Sequence, residues 1–495
     1  MTIPVLDWAY SNPWLVALLF AIESIIRIVA LFVVPRNRRP SSGTAWLLFI
    51  LFMPIPGLLL FSVIGGKGLP KKRQERFREA RERLAQIVDD AVVSSFPLQP
   101  EPRTVGLQNA VRIGRTLGAF PMLGGNRASL HLDYHESIAR MAEAIDTAES
   151  YVHLEFYILV YDQTTEPVFA ALRRARARGV KIRVLMDHVA AIRNPGKRRT
   201  REMLSEMGAE WHYALPFRPL RAQLQRPDLR NHRKILVVDG KIAFMGSQNL
   251  VDSSYNKLSN RRRGLHWKDL MVRVSGPAVL SLDAVFVSDW YEETGQMLAE
   301  PNLDAMCIYE DSQLEMQVLP SGPGYATENN LQVFVALMYN AVNRISITSP
   351  YFVPDGALMS AIKAATARGV DVELFVSETG DQFGVYHAQR SYYEELLAAG
   401  VKIYLFKPPY ILHSKHFTID DDVAVIGSSN MDQRSFNLNY EISLIVHGAG
   451  FVTELDKISS YYRVNSRLLT QEEWARQPLR KQLFDSLMRL TSALQ

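Results

Sequence analysis

The sequence predicts an α/β chain of two tandem α/β/α halves related by a pseudo-two-fold axis, behind an N-terminal membrane-embedded helical hairpin. Three observations carry that expectation. A strand, helix, strand pattern occurs twice, a polar motif recurs at one spacing in both copies, and two long apolar runs precede everything else.

The apolar runs, Trp14 to Val34 and Trp46 to Ile64, are each about long enough to cross a bilayer. A secretory signal would begin basic and end at a small-residue cleavage site, whereas the first dozen residues carry only the charge of Asp7. Glu23 and Arg27 inside the first run would each cost roughly 2.5–3.5 kcal/mol at a helix centre in lipid. Their spacing lets them pair on one helix face. Pro54, Pro56 and Gly57 interrupt the second run, which therefore reads as either a kinked span or a re-entrant segment. Residues 1–66 are accordingly expected to form a hairpin or multi-pass anchor.

Residues 67–115 follow as a basic linker helix. Lys67, Lys71, Lys72, Arg73, Arg76, Arg78, Arg81 and Arg83 outweigh Arg36, Arg38 and Arg39 of the preceding loop, which assigns the rest of the chain to the cytoplasmic side of a cell membrane. Such a cluster either attracts anionic lipid or forms a solvated helix face with Glu75, Glu79 and Glu82. The formal net charge of +5 fits an anionic partner, and the single Cys307 excludes intramolecular disulfides and thiolate metal clusters.

Beyond residue 115 the two halves, 116–300 and 301–495, run in parallel. "YVHLEFYIL" then "PVFAALRRARARGVKIRVLMD" in the first answers "RISITSPYFVP" then "ALMSAIKAATARGVDVELFVS" in the second. The shared "ARGV" closes a helix and opens a strand, with glycine as the helix stop. A chain of 495 residues exceeds what one hydrophobic core usually organises, so more than one domain is expected.

The recurring motif is His, any residue, Lys, four residues, Asp, six residues, Gly-Ser, any residue, Asn. It comprises His232, Lys234, Asp239, Gly246, Ser247 and Asn249, then His413, Lys415, Asp420, Gly427, Ser428 and Asn430. "KILVV" and "KHFTI" read as strands, on which residues two apart share a face, so each histidine points with its lysine. Brought together about the pseudo-two-fold axis, two His, two Lys and two Asn suit a phosphate group. The lysines and amides would hold its oxygens, one histidine would attack phosphorus, and the other would protonate the leaving alcohol. No metal or cofactor is called for, because the histidines sit beside cations and no carboxylate-rich or cysteine cluster surrounds them.

An attacking imidazole needs its far nitrogen held, and each copy offers a carboxylate for that purpose: Asp269 in "HWKDLMVRVSG" and Glu441 in "NYEISLIVHG". Asp239 and Asp420 follow their strands and are expected to tie down turns in support of the catalytic residues. Ser247 and Ser428 are expected, with Asn249 and Asn430, to bind substrate. The first copy carries nine more residues between its Asn and its acid than the second, and they bring Arg261, Arg262 and Arg263. Those arginines read either as a solvated loop or as ligands of lipid headgroups. Leu479, Leu483, Leu487, Leu490 and Leu494 share one face of a C-terminal amphipathic helix, which is expected to dock on its own domain in preference to the bilayer.

The paired motif resembles that of the phospholipase D superfamily. "NHRKILVVDGKIAFMGSQN", "SPYFVPD", "LHSKHFTIDDDVAVIGSSNMDQRSFNLNYEI" and the two apolar segments look closer still to bacterial cardiolipin synthases. The resemblance implies two phospholipase D-like domains and a metal-independent transfer of a phosphatidyl group through histidine, from one phosphatidylglycerol to another, giving cardiolipin and glycerol. It favours His232 as nucleophile and His413 as general acid. Arg261 to Arg263 are expected to keep His232 neutral, and Asp421 and Asp422 to favour a protonated His413 if they face the site. A hydrolase giving phosphatidic acid and a nuclease share the same active residues. The anchor argues against a nucleic-acid partner, and a non-catalytic scaffold would be expected to lose a His or Lys in one copy. Oligomeric state, including a homo-oligomer, is left open by the sequence.

Overall fold

The computed structural model describes residues 13–36, 40–66, 69–95, 104–218, 223–224, 226–298, 307–309, 311–312, 314–325 and 328–490. Asp7, Arg38, Arg39, Lys67, Leu494 and the expected boundary at 300 and 301 lie outside them. The chain forms two compact units, residues 1–68 with Arg226–Asp228, and residues 69–225 with 229–495.

In the first unit the apolar runs fold as three helices, α1 (Pro13–Val33), α2 (Pro40–Phe52) and α3 (Pro54–Ile64). Only α1 among the described residues is long and apolar enough to cross a membrane. Pro54 sits at the start of α3, where a missing N–H costs nothing, and divides the second run into two short helices. Arg27 bonds Glu23 at 3.0 Å and the Leu51 carbonyl at 3.1 Å, so the charges inside the apolar run satisfy each other and an orphan backbone group. Ala30, Val34 and Ile50 are buried with Trp46 and Phe61 against them, while Phe20, Phe32, Phe52 and Leu59 stand exposed. An apolar surface of that extent is what a lipid-embedded segment presents.

The second unit is organised by one sheet of fifteen strands in sequence across it, with a sixteenth, Arg230–Asn231, paired off that path. Its first half contributes β1 (Met122–His131), β2 (Tyr151–Phe156), β3 (Lys181–Asp187), β4 (Glu210–Ala214), β5 (Lys234–Val238), β6 (Ile242–Gly246) and β7 (Met271–Ser275). The second half contributes β8 (Leu314–Ser321), β9 (Arg344–Thr348), β10 (Asp371–Ser377), β11 (Lys402–Phe406), β12 (His416–Ile419), β13 (Val423–Gly427), β14 (Asn439–His447) and β15 (Ser466–Leu469). The spatial order β15-β11-β10-β9-β12-β13-β14-β8-β1-β7-β6-β5-β2-β3-β4 reads the same outward from the antiparallel β1·β8 pair, apart from the extra edge strand β15. That pair is the seam of the pseudo-two-fold arrangement. Gly179 and Gly369, at φ of +93° and +88°, stop the helices of the duplicated "ARGV" in the left-handed conformation that glycine adopts without strain.

Strand β5 shows how the sequence builds three layers. Ile235 and Val237 point into a core shared by both halves, and Leu236 and Val238 into the outer core of the first half. The shared core takes in α5 (Ala278–Thr294) and α6 (Ala449–Val464), with Leu84 and Val88 of α4 (Lys71–Ser95) packed among them. The basic helix α4 is therefore part of the folded unit. Its Arg73 is paired with Glu292 and Glu293 of α5, and Arg81 lies over the Tyr325 ring, so two cations of the expected lipid-attracting cluster serve internal contacts instead.

Asp239 and Asp420 depart from the placement in the reaction centre that a catalytic role would need. Each sits at φ of +52° beyond the far end of its strand, and β5 places Asp239 about 16 Å from Lys234. Asp239 accepts from the N–H groups of Glu149, Ser150 and Tyr151, and Asp420 from those of Val342, Asn343 and Arg344. They are turn anchors that fix the start of the neighbouring strand. Asp421 and Asp422 lie in the same distal turn, where Asp422 faces His447 at 3.7 Å, so neither acts on His413. Asp420→Ala is expected to lower stability by about 3 kcal/mol, since charge-assisted bonds are lost. Thermal-shift measurement should show the lowered midpoint, with turnover per folded molecule kept within about twofold.

Candidate active site

The motif histidines lie where each half hands a short strand to the other. Arg230–Asn231 pairs in parallel with Asn439–Tyr440, and His266–Lys268 pairs in parallel with Tyr410–Leu412. As a result the His232 N–H donates to the Tyr440 carbonyl at 2.9 Å and the His413 N–H to the Lys268 carbonyl at 2.8 Å. The next residue on each partner strand is the carboxylate. Each carboxylate thus holds the histidine of the opposite half.

His232 Nδ1 is 3.0 Å from both oxygens of Glu441, and His413 Nδ1 is 2.6 Å from Asp269 Oδ1. Both acids are fully buried. Ser428 and Ser435 donate to Glu441, as does Asn439 at 3.2 Å, whereas Asp269 receives only Ser247 at 2.7 Å beside His413. Asp269 Oδ2 has no hydrogen-bond partner among the described residues. The expectation that Ser247 and Ser428 touch substrate is therefore corrected: their hydroxyls are spent on the carboxylates. The glycines before them have a steric reason. A Cβ at Gly246 would lie 2.4 Å from the Leu270 carbonyl, and one at Gly427 would lie 2.2 Å from that of Ile442, the residues just after the two acids.

Lys234 Nζ donates to the His232 carbonyl at 2.5 Å and Lys415 Nζ to that of His413 at 2.7 Å. Each ammonium keeps two further donors for a ligand. Burial lowers both lysines against the pull of Glu441 and Asp269, and at Lys234 the charge of Lys415 adds to it: Lys234 falls well below the usual range and Lys415 to about 8. Burial likewise brings both histidines down to about 4, opposed by their carboxylates. At His232 the largest cause is burial and the lowering charges are Lys234 and Lys415, so it is these, in place of the expected arginines of the insertion, that keep it neutral.

The insertion lies on the His413 side. Leu258–Arg263 is a short exposed helix in which Arg261 donates to Asn256, with Arg262 and Arg263 at the surface. It leads into Trp267, which packs against Tyr255, whose ring is 6.1 Å from that of His413. Tyr157 plays the matching part at His232, with 4.9 Å between centroids. Tyr255 and Asn256 hold φ of +58° and +54°, strain that a site over-determined by its surroundings can sustain.

The two motif asparagines differ. Asn249 is used internally, accepting from the Ile158 N–H and donating to the Tyr255 hydroxyl, while Asn430 Oδ1 has no partner among the described residues. Asn249 is thus committed inside the protein, and of Asn430 it is the side-chain N–H groups, not the unpartnered Oδ1, that suit a phosphate oxygen. Sequence reasoning missed Tyr157, Tyr255, Arg233 and Asp381. Arg233 turns to the opposite face from Lys234, pairs with buried Asp289 and donates to the Glu441 carbonyl at 3.1 Å, bracing the crossed contact from behind. Asp381 accepts from Tyr351 at 2.8 Å and is one of the charges that raise Lys415. The only prior signal for Arg233 was its place between His232 and Lys234. The aromatic and acidic residues carried none.

This geometry is accompanied by likeness along nearly the whole chain. The family model described as cardiolipin synthase, phospholipase D-like domain, matches residues 141–290 and 334–461, and one described as phospholipase D-nuclease N-terminal matches 25–66. The chain is 33% identical over 496 residues to cardiolipin synthase A of Pectobacterium carotovorum, covering 97% of this chain and 98% of that protein. It is 30% identical over 472 residues to the cardiolipin synthase of Geobacillus kaustophilus, covering 94% and 91%. The fold is similar to that of phosphatidylserine synthase from Haemophilus influenzae, with a TM-score of 0.59 at 14% identity over 78% of this chain and all of that one. The chain belongs to the cardiolipin synthase family and is a phosphatidyltransferase of the phospholipase D superfamily.

Proposed function

We propose that the enzyme joins two phosphatidylglycerol molecules into cardiolipin and glycerol through a phosphohistidine intermediate, on the cytoplasmic face of the membrane that its anchor enters. The observation that carries this reading is the pair of buried imidazoles held at Nδ1 by opposite halves, with two lysines beside them. Fixing Nδ1 leaves each Nε2 as the free ring nitrogen, and each imidazole feels the lysine of the opposite half, as expected of one shared site.

His232 Nε2 attacks phosphorus, the bond to glycerol oxygen breaks, and the departing oxygen takes its proton from His413 Nε2. In the second step a headgroup hydroxyl of another phosphatidylglycerol gives its proton to His413, attacks phosphorus and frees His232. Lys234, Lys415 and Asn430 stabilise the non-bridging oxygens. The division of labour has a physical basis in the two acids. Glu441 is saturated by donors, whereas Asp269 keeps a bare oxygen and so favours an imidazolium at His413 more strongly. Nothing in this assignment uses Asp239, Asp420, Ser247 or Ser428 as a group that touches substrate.

Vesicles of labelled phosphatidylglycerol should yield cardiolipin and an equivalent of glycerol by mass spectrometry, and His413→Ala quenched early should carry phosphate on His232. Phosphatidic acid as the sole product would overturn the transferase reading, and label found only on His413 of a His232→Ala enzyme would reverse the roles. A pH profile of kcat/KM tests the protonation states. The nucleophile is lost as pH falls through the depressed imidazole value of about 4, and the phosphate clamp weakens as pH rises through about 8, where Lys415 gives up its proton. Because both imidazoles are neutral above about 4 and the general acid must take up a proton with the substrate, kcat/KM should decline steadily from mildly acidic to neutral pH. An acid limb at the ordinary imidazole value of about 6.5 would contradict it.

A further inference from the structure

The C-terminal helix α7 (Leu479–Arg489) docks through one face and leaves the opposite face bare. Its docked side places Asp485 against His387 at 2.5 Å and Arg390 at 3.1 Å, with Phe484 beside Phe383 at 5.7 Å between centroids. The leucines are not what docks, contrary to the reading of the sequence. Leu479, Leu483, Leu487 and Leu490 are 76%, 71%, 55% and 79% exposed, and at 3.6 residues per turn they lie within an arc of roughly 80°. A stripe of that kind facing water is unstable unless something covers it.

What surrounds the stripe identifies the cover. Exposed Arg480 adjoins the leucines, and Phe383, 69% exposed, extends the apolar surface off the helix. Phe383 follows Asp381 by two residues, and the Asp381 carboxylate bonds Tyr351 and acts on Lys415, so the apolar surface runs to the rim of the reaction centre. On the insertion side, exposed Lys257 acts on Asp381, and Leu258, also 69% exposed, opens the helix that carries Arg262 and Arg263. Leucine and phenylalanine side chains interleaved with arginines match an anionic bilayer, with the apolar groups below the headgroups and the cations among them. A face made for a second protein copy would have no reason to ring the entrance with cations.

We propose that the exposed leucines of α7, with Phe383 and the Leu258–Arg263 helix, dock on the surface of an anionic bilayer and hold the mouth of the reaction centre against the lipid. The contact is separate from the N-terminal anchor, and it rests on the shape of the surface, with no step of the proposed chemistry required.

The test uses the full chain with Cys307→Ser and Leu483→Cys carrying an environment-sensitive fluorophore, reconstituted in vesicles of phosphatidylglycerol and phosphatidylcholine. Emission should move to the blue and be quenched by brominated acyl chains, while the same probe at exposed Lys457→Cys stays aqueous. An aqueous spectrum at position 483, or a blue shift that brominated lipid does not quench, as when a second copy covers the stripe, would overturn the proposal. Replacing Leu479, Leu483 and Leu487 by Gln should lower turnover on vesicles about tenfold and leave turnover of a soluble short-chain lipid within about twofold. Equal loss on both substrates would also overturn it.

Discussion

The structure depends on one exchange: each half supplies the carboxylate that holds the other half's histidine. Glu441 and Asp269 are fully buried, and a buried carboxylate stripped of its partner costs about 3–5 kcal/mol. The surrounding architecture keeps both contacts made. The parallel pairings of Arg230–Asn231 with Asn439–Tyr440 and of His266–Lys268 with Tyr410–Leu412 deliver histidine and acid together, and the motif glycines allow the acid-bearing strands to pass close by. The serine beside each glycine then occupies a carboxylate oxygen. One half alone has a histidine without its acid and an acid without its histidine.

The charge balance of the site follows from that exchange. Asp269 and Glu441 stay ionised, burial keeps both imidazoles neutral, and burial also lowers both lysines, so the resting centre carries no excess of positive charge. A phosphodiester brings one negative charge. In the proposed reaction one proton is taken up with it, and the acid with a bare oxygen, Asp269, would make His413 the place for that proton. In this way a nearly symmetric frame supports an asymmetric reaction. Tyr157 over His232 and the strained Tyr255 beside His413 close the flanks with rings, which keeps the dielectric low and the electrostatics strong.

Much of this was legible in the residues because a repeat constrains itself. Spacing identified His232, Lys234, His413 and Lys415, and the need of an imidazole for a held nitrogen identified Asp269 and Glu441. The crossing was not legible, since it depends on strand pairings between segments roughly 140 to 210 residues apart, as in His266 with Tyr410 and Arg230 with Asn439. Short-range reading found the turns that Asp239 and Asp420 tie down but not their distance from the reaction centre, and it misplaced the motif serines. Asp239 and Asp420 belong to the motif by spacing and to distal turns by hydrogen bonding, and Ser247 and Ser428 look like ligands until the acids claim their hydroxyls. The leucines of α7 followed the right period but faced the other way, because buried Asp485 decides which side of that helix docks.

The crossed exchange is tested most directly by the downfield proton spectrum of the enzyme labelled with nitrogen-15 in histidine. A proton held between imidazole Nδ1 and a buried carboxylate resonates far downfield, and two such signals are predicted, assigned by His232→Ala and His413→Ala. Asp269→Asn should remove the His413 signal and spare that of His232, and Glu441→Gln should do the reverse. Loss of the His232 signal in Asp269→Asn, with the His413 signal intact, would show that each half holds its own histidine and would contradict the account.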